Sequence, residues 1–284
     1  MSNSQLPERA SLEFLKKLAK DRLQRLRRAD SRAKLADALL DVARDHGFSS
    51  WRALKAHIEK RQAERVTEFV EGCRAGNGEI VRRLLMGDPD LTRARDSHGS
   101  TGLHAAASRG QIETVRLLLQ HGADPNARDA GDNASPLHFA AGGGHAETVR
   151  ALLNAGADVH GQGDVHEAEV IGWATVIGPP SDARSGVVPI LLEHGARHHI
   201  FSAIAMGDLE LIRELAEENP EALDRRMSRF EHGQTALHFA IARQREDILD
   251  LLIELGADLE GRDLAGRTAL EVAMMARGSS VSAI

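Results

Sequence analysis

The stretch from residue 96 to residue 128 alternates short apolar segments with polar, turn-rich ones. Its apolar positions fall into two groups at helical spacing, which predicts two short helices. Gly110 and Gly122 follow the two groups, and glycine commonly ends a helix. The polar residues that remain predict an exposed, hairpin-like finger. The apolar positions are Leu103, Ala106 and Ala107 in the first helix, and Ile112, Val115, Leu118 and Leu119 in the second.

The pattern returns along the chain with a period of about 33 residues, which is typical of a stacked repeat. One such helix pair cannot bury its own apolar face, whereas several stacked pairs bury a continuous core. The sequence therefore predicts an all-α solenoid. The recurring dipeptides are Leu103-His104, Leu137-His138 and Leu237-His238, and the recurring tripeptides are Gly122-Ala123-Asp124, Gly156-Ala157-Asp158 and Gly256-Ala257-Asp258.

These motifs, T-x-L-H and G-A-D-x-N, resemble the ankyrin repeat. The resemblance implies an ankyrin-repeat solenoid of helix pairs with β-hairpin-like fingers. On this interpretation residues 66–284 form an array of about seven units, irregular at repeats 4 and 5, whose last unit is truncated. Residues 10–65 form a small three-helix N-terminal module, similar to the segment found ahead of the repeats in bacterial ankyrin proteins.

Within that module, helical spacing predicts helices over residues 11–28, 31–46 and 50–62. Residues 1–8 are expected to be disordered. The first repeat lacks the T-x-L-H start, and its first helix is expected separately, over residues 69–76. The last repeat is expected to have its first helix up to about Ala276.

Repeats 4 and 5 depart most from the pattern. Gly172 stands where the motif has histidine, and residues 178–182 are inserted between the two helices of repeat 4. The finger after Gly195 is nearly deleted, because His198 and His199 lead at once into the next helix. We therefore expect either a plain bend or a concave pocket at this point.

Composition narrows the class of protein. Aromatic residues make up 3% of the chain, and Cys73 is the one cysteine, which excludes an internal disulfide and suits a reducing compartment. No stretch approaches the roughly 20 apolar residues of a membrane span. No phosphate-binding loop or G-x-S-x-G motif occurs. These features predict a cytoplasmic, non-enzymatic protein without a cofactor.

The charge is unevenly distributed along the chain. Residues 1–66 hold 16 Lys and Arg against nine Asp and Glu, and the remainder holds 20 against 33. The basic N-terminal segment suggests a nucleic-acid surface. However, acidic residues are interspersed and aromatic residues for stacking are few, so a solvated face, or a face that packs on the acidic array, is favoured over nucleic acid.

Two groups of histidines are candidate metal ligands. His104, His138 and His238 recur at one position of the regular repeats, about 10 Å apart in adjacent units, which is too far for shared coordination at about 2 Å. The resemblance gives them a hydrogen-bonding role between repeats. A second cluster, near the deleted finger, has candidate ligands for zinc or iron, but its spacing matches no metal motif, and a polar finger is favoured: His160, Asp164, His166, Glu167 and His199.

The resemblance implies that a partner protein binds on the concave face formed by the fingers and inner helices. Five arginines among these positions suggest a partner with exposed acidic groups, since Arg pairs with carboxylates bidentately. Two alternatives stay open: a small-molecule or metal-binding array at repeats 3–5, and a regulatory fragment of a longer enzyme. The candidate partner-binding residues are His98, Ser100, Ser108, Arg109, Arg128, His166, His232, Gln234, Arg243, Arg262 and Arg267.

Overall fold

The computed structural model describes residues 6, 11–177 and 186–281, and within them the regular elements are all helices. The chain divides into two compact units, residues 1–68 and residues 69–284. The expected disorder of residues 1–8 and the insertion at residues 178–182 fall almost wholly outside the described residues. None of the helices in the described ranges has the length and hydropathy of a membrane span.

The first unit contains three helical segments. Ser11 caps α1 (Leu12–Ala29), its hydroxyl accepting from the Phe14 backbone nitrogen at 3.1 Å, as the sequence predicts. The second helix, α2, spans Leu35–Asp45, so the prediction that it starts at residue 31 was wrong. Leu35, expected to face inward, is in fact exposed in the first turn. The core of this unit joins α1, α2 and the start of α3: Leu15, Ala19, Ala38, Val42, Ala43, Leu54 and Ile58.

The third helix corrects the sequence prediction. It was expected to end near residue 62, with a separate helix over residues 69–76, but α3 runs without interruption over Trp51–Arg74. No glycine or proline occurs between residues 52 and 71, and the segment is rich in Ala, Glu, Lys and Arg, which are strong helix formers. The C-terminal part of α3 therefore serves as the inner helix of the first repeat.

The remaining helices follow the predicted pairs. Repeat 7 contains the single helix α15, which passes the predicted end near residue 276 and includes Gly278, since one helical glycine costs only about 1 kcal/mol. The helices are α4 (Gly78–Gly87), α5 (Gly102–Ala107), α6 (Ile112–Gln120), α7 (Pro136–Gly142), α8 (Ala146–Asn154), α9 (Glu169–Thr175), α10 (Val188–Glu193), α11 (Ile200–Met206), α12 (Leu209–Glu218), α13 (Ala236–Ala242), α14 (Glu246–Glu254) and α15 (Ala269–Val281).

Inner helices pack against one another in a single row. Helix α5 contacts α7, α7 contacts α9, α9 contacts α11, α11 contacts α13, and α13 contacts α15. The row is therefore continuous through the irregular repeats 4 and 5. Alanines such as Ala106 and Ala140 are fully buried at these contacts, where their small side chains allow close approach of the helices. Short 3-10 turns lie at Pro89–Arg93, Pro220–Asp224 and Arg229–Glu231.

Two fingers in the described part of the chain are closed by isolated β-bridges rather than by strands. Arg95 pairs with Thr101, and Arg262 pairs with Thr268, in the described part of the chain. A buried aspartate organises the third finger: Asp129 accepts hydrogen bonds from the backbone nitrogens of Gly131, Asp132 and Ala134. The carboxylate thus satisfies backbone donors that a tight turn would otherwise leave unpaired.

Candidate functional site

The recurring histidines link successive repeats. The His104 Nδ1 atom lies 2.8 Å from Thr101 Oγ1 and accepts from the Thr101 backbone nitrogen at 3.2 Å. Its Nε2 atom reaches Ala134 O of the next repeat at 3.1 Å, which requires the Nε2-protonated tautomer. His238 repeats the arrangement toward Arg267 O at 3.0 Å. Burial lowers the pKa of His104, so the ring is neutral and structural.

His138 departs from this arrangement. Its Nδ1 atom lies 2.9 Å from Ser135 Oγ, as in the other repeats, but its buried Nε2 atom has no hydrogen-bond partner within the described ranges. The nearest carboxylate oxygen, from Asp164, is 3.9 Å away. Burial lowers the pKa of His138. The Nε2 atom of His138 faces repeat 4, where the irregular part of the array begins.

His199 takes the place of the histidine that repeat 4 lacks. Its Nδ1 atom accepts from the Ser202 backbone nitrogen at 3.2 Å and so caps α11. Its Nε2 atom reaches back to Ala168 O, the cap of α9, at 3.2 Å. A β-carbon at Gly172 would lie 3.1 Å from His199 Nε2, so the glycine leaves room for the incoming ring. Burial, and then the charge of Arg225, lower the pKa of His199 to about 4.

The deleted finger brings two distant fingers together. Only residues 194–199 connect α10 to α11, whereas residues 121–135 connect α6 to α7. Across the gap, His166 Nδ1 lies 2.5 Å from Glu231 Oε1, and the His166 ring lies 5.4 Å from Phe230. Arg225 donates to Glu167 O at 3.3 Å. The finger before α9 thus meets the finger before α13 across the place of the deleted finger.

An open pocket of about 390 Å³ lies beside that contact. The sequence predicted that a pocket here would be lined by His160, His166, Glu167 and His199; only His160 and His199 line it. His166 is turned toward Glu231, and Glu167 is exposed. The residues that carry the chemistry of the pocket are His160, Glu169, Arg197, His198, His199 and Arg225.

The metal alternative finds no geometric support. In the described part of the chain no three His, Cys, Asp or Glu side chains come together to hold a metal ion. Asp164, one of the candidate ligands, is buried and accepts from Trp173 Nε1 at 3.2 Å and from the Glu169 backbone nitrogen at 3.1 Å. It organises its finger in the way that Asp129 organises the preceding one.

Four of the five candidate arginines are engaged inside the molecule. Arg128 donates to Asn133 O, Gly161 O and Gln162 O at 2.9–3.1 Å. Arg262 donates to Gly266 O at 2.7 Å, and Arg267 donates from Nε and Nη2 to a single oxygen of Asp263, Oδ2, at 3.0 and 2.7 Å. Arg243 donates to Val176 O and stacks on Phe239. These contacts give the four arginines a role inside the molecule, and partner binding through them stays a prediction.

The other candidate positions are distributed over the finger tips and helix turns. Arg109 is exposed at the turn that follows α5, and His98 is exposed at a finger tip, with 84% of its side chain accessible. His232 is exposed in a left-handed turn with φ of 60°. Ser100, Ser108 and Gln234 are partly buried.

One feature of the sequence indicates a structural role for some of these arginines. Arg95, Arg128 and Arg262 each precede an aspartate at the same point of their repeats, so they recur as a motif residue does. Arg95 donates to Gly99 O and to Arg128 O of the next finger, both at 2.5 Å. Recurrence at a fixed point of a repeat indicates a role in stacking rather than in selecting a partner.

Comparison with known proteins agrees with this architecture. The family described as Ankyrin repeats (3 copies) matches residues 69–167, 181–263 and 199–282, which together exceed half of the chain. The solved structure of the human ASB11 ankyrin repeat domain matches with 24% identity and a TM-score of 0.50, over 72% of this chain and 90% of that chain. This second likeness concerns the fold alone. No match is found among the curated proteins.

Proposed function

The chain belongs to the ankyrin repeat family, and we propose that it is a non-enzymatic scaffold that binds a partner protein on the concave face of its repeats. Ankyrin repeats are generally protein–protein interaction modules. The observation that carries the proposal is how the side chains are used. Motif residues such as His104 and His238 form hydrogen bonds between repeats. By contrast, His98 and Arg109 are exposed, at positions where the family binds partners.

Fewer arginines are available to recognise acidic groups of a partner than the sequence suggested. With four arginines engaged internally, the preference for exposed acidic groups rests chiefly on Arg109, whose guanidinium makes no ion pair or hydrogen bond with the described residues. An exposed guanidinium on an otherwise acidic array favours a carboxylate of the partner. Such a contact would act on the rate of association and on its salt dependence as well as on affinity. The cytoplasmic location stays a prediction. The expectation that nucleic acid is not the partner also stays a prediction.

A matched pair of charge reversals tests the proposal. Arg109→Glu changes the candidate surface, and Arg116→Glu changes an exposed arginine of the outer helix α6, which pairs with Glu113 at 3.2 Å. Each purified chain is passed through lysate from its own source, and retained proteins are identified by mass spectrometry. We expect Arg109→Glu to lower retention of one protein by about ten-fold, with Arg116→Glu unchanged. Equal retention by both variants would refute binding through Arg109.

A further inference from the structure

The pocket at the deleted finger lies where the array departs from its regular repeat. Only residues 194–199 connect α10 to α11, where a regular repeat has a full finger. The pocket is lined by Gly195 and Arg197 from this connection, by His160 and Glu169 from repeats 3 and 4, and by Arg225 from the segment after α12. Its volume of about 390 Å³ is that of a small-ligand site.

The lining of the pocket is polar and carries excess positive charge. Arg197 and Arg225 contribute two guanidinium groups, against one carboxylate from Glu169. Glu169 is already held by Gln162, whose amide donates to Oε1 at 3.2 Å. Burial lowers the pKa of His198 and that of His199, so at neutral pH neither ring adds charge to the pocket.

Arg225 is positioned before any ligand arrives. Its Nη2 atom donates to Glu167 O at 3.3 Å, across the gap left by the finger. That contact uses one of the five N–H donors of the guanidinium and restricts the side chain. A guanidinium that is restricted in advance loses less entropy when it pairs with a planar or tetrahedral oxyanion.

We propose that this pocket binds a small ligand through an oxyanion group, a carboxylate or a phosphate, held by the guanidinium groups of Arg197 and Arg225. The imidazoles of His160 and His198 offer hydrogen bonds to the rest of a polar ligand, whereas both ring nitrogens of His199 are already engaged. The site is independent of partner binding at Arg109, so either proposal can fail while the other holds.

The test uses the full chain and two probes, citrate and inorganic phosphate. Each is titrated at neutral pH while the histidine ring signals are followed by NMR, with sodium chloride at matched ionic strength as the control for screening. We expect at least one probe to shift the signals of His198 and His199 in a saturable manner, with a dissociation constant on the order of 1 mM. Binding by citrate alone, by phosphate alone or by both supports the site and identifies the oxyanion it prefers.

Three glutamine variants locate the binding. Arg197→Gln and Arg225→Gln should each weaken binding by about ten-fold, the value of one charge-assisted hydrogen bond. Arg226→Gln is the control, because Arg226 is an exposed neighbour that does not line the pocket. Circular dichroism melts confirm that each variant is folded. Absence of saturable binding by both probes, or equal weakening by Arg197→Gln and Arg226→Gln, would overturn the proposal.

Discussion

His199 offers the sharpest test of how the irregular repeats are joined. Its ring makes two hydrogen bonds, from the Ser202 backbone nitrogen to Nδ1 and from Nε2 to Ala168 O, each at 3.2 Å. His199→Ala removes the helix cap, worth about 1 kcal/mol, and the bond between repeats, worth about 1 kcal/mol. Ala168 O then keeps only the backbone nitrogen of Gly172, at 3.0 Å, as its donor. We expect the free energy of unfolding to fall by about 2–4 kcal/mol in total.

His199→Asn separates the two contributions. Asparagine is a good N-cap and keeps an acceptor for the Ser202 nitrogen, but it is too short to reach Ala168 O. Its expected cost is therefore only about 1–2 kcal/mol. Urea unfolding followed by far-UV circular dichroism measures both variants, with the exposed His98→Ala as a control that should stay within about 0.5 kcal/mol of the parent. A His199→Asn variant as stable as the parent, or as unstable as His199→Ala, would refute the assigned bonds.

Three further predictions follow from burial and close contact. Below pH 6.5 the unfolded chain protonates His199 while the folded chain, with a pKa of about 4, does not, so stability should fall as the pH falls between these values. The contribution is about 3 kcal/mol, and urea titrations of His199→Asn should show a correspondingly shallower pH dependence. Gly172→Ala places a β-carbon 2.7 Å from Ala168 Cβ, so overpacking of about 1–3 kcal/mol should exceed the helix-propensity gain of about 1 kcal/mol. Gly78→Ala, whose β-carbon meets nothing closer than 3.7 Å, should not be destabilised in the same thermal melts. Cys73 is buried with its pKa raised to about 12, so a thiol reagent should label the native chain at least about 100-fold more slowly than the chain in urea.

The regular repeats could be predicted because their information is local. Thr101, Gly110 and the Nδ1 atom of His104 act within one helix and at its ends, and all three residues recur with the motif. The end of the third helix was missed for the opposite reason. The repeat frame suggested a new start at Phe69, whereas local helix propensity carried α3 through that point without a breaker.

The irregular region could be located from the sequence but not resolved. The deleted finger was visible as a short interval after Gly195, and the missing histidine was visible as Gly172. That His199 fills the space over Gly172 depends on a contact between two different repeats, which no local spacing reveals. His166 was likewise placed near a pocket, because the sequence does not show that Glu231, 65 residues away, lies opposite it.

The central claim is that a partner protein occupies the surface around Arg109. A photocrosslinking amino acid placed at position 109 of the intact chain, and in a second variant at position 116 on the outer helix, tests it directly in cells of the protein's own source. We expect one protein to be crosslinked at position 109 and this crosslink to weaken at high salt. The same protein should not be crosslinked at position 116. The same protein crosslinked equally at both positions, or a crosslink at position 116 alone, would contradict the account.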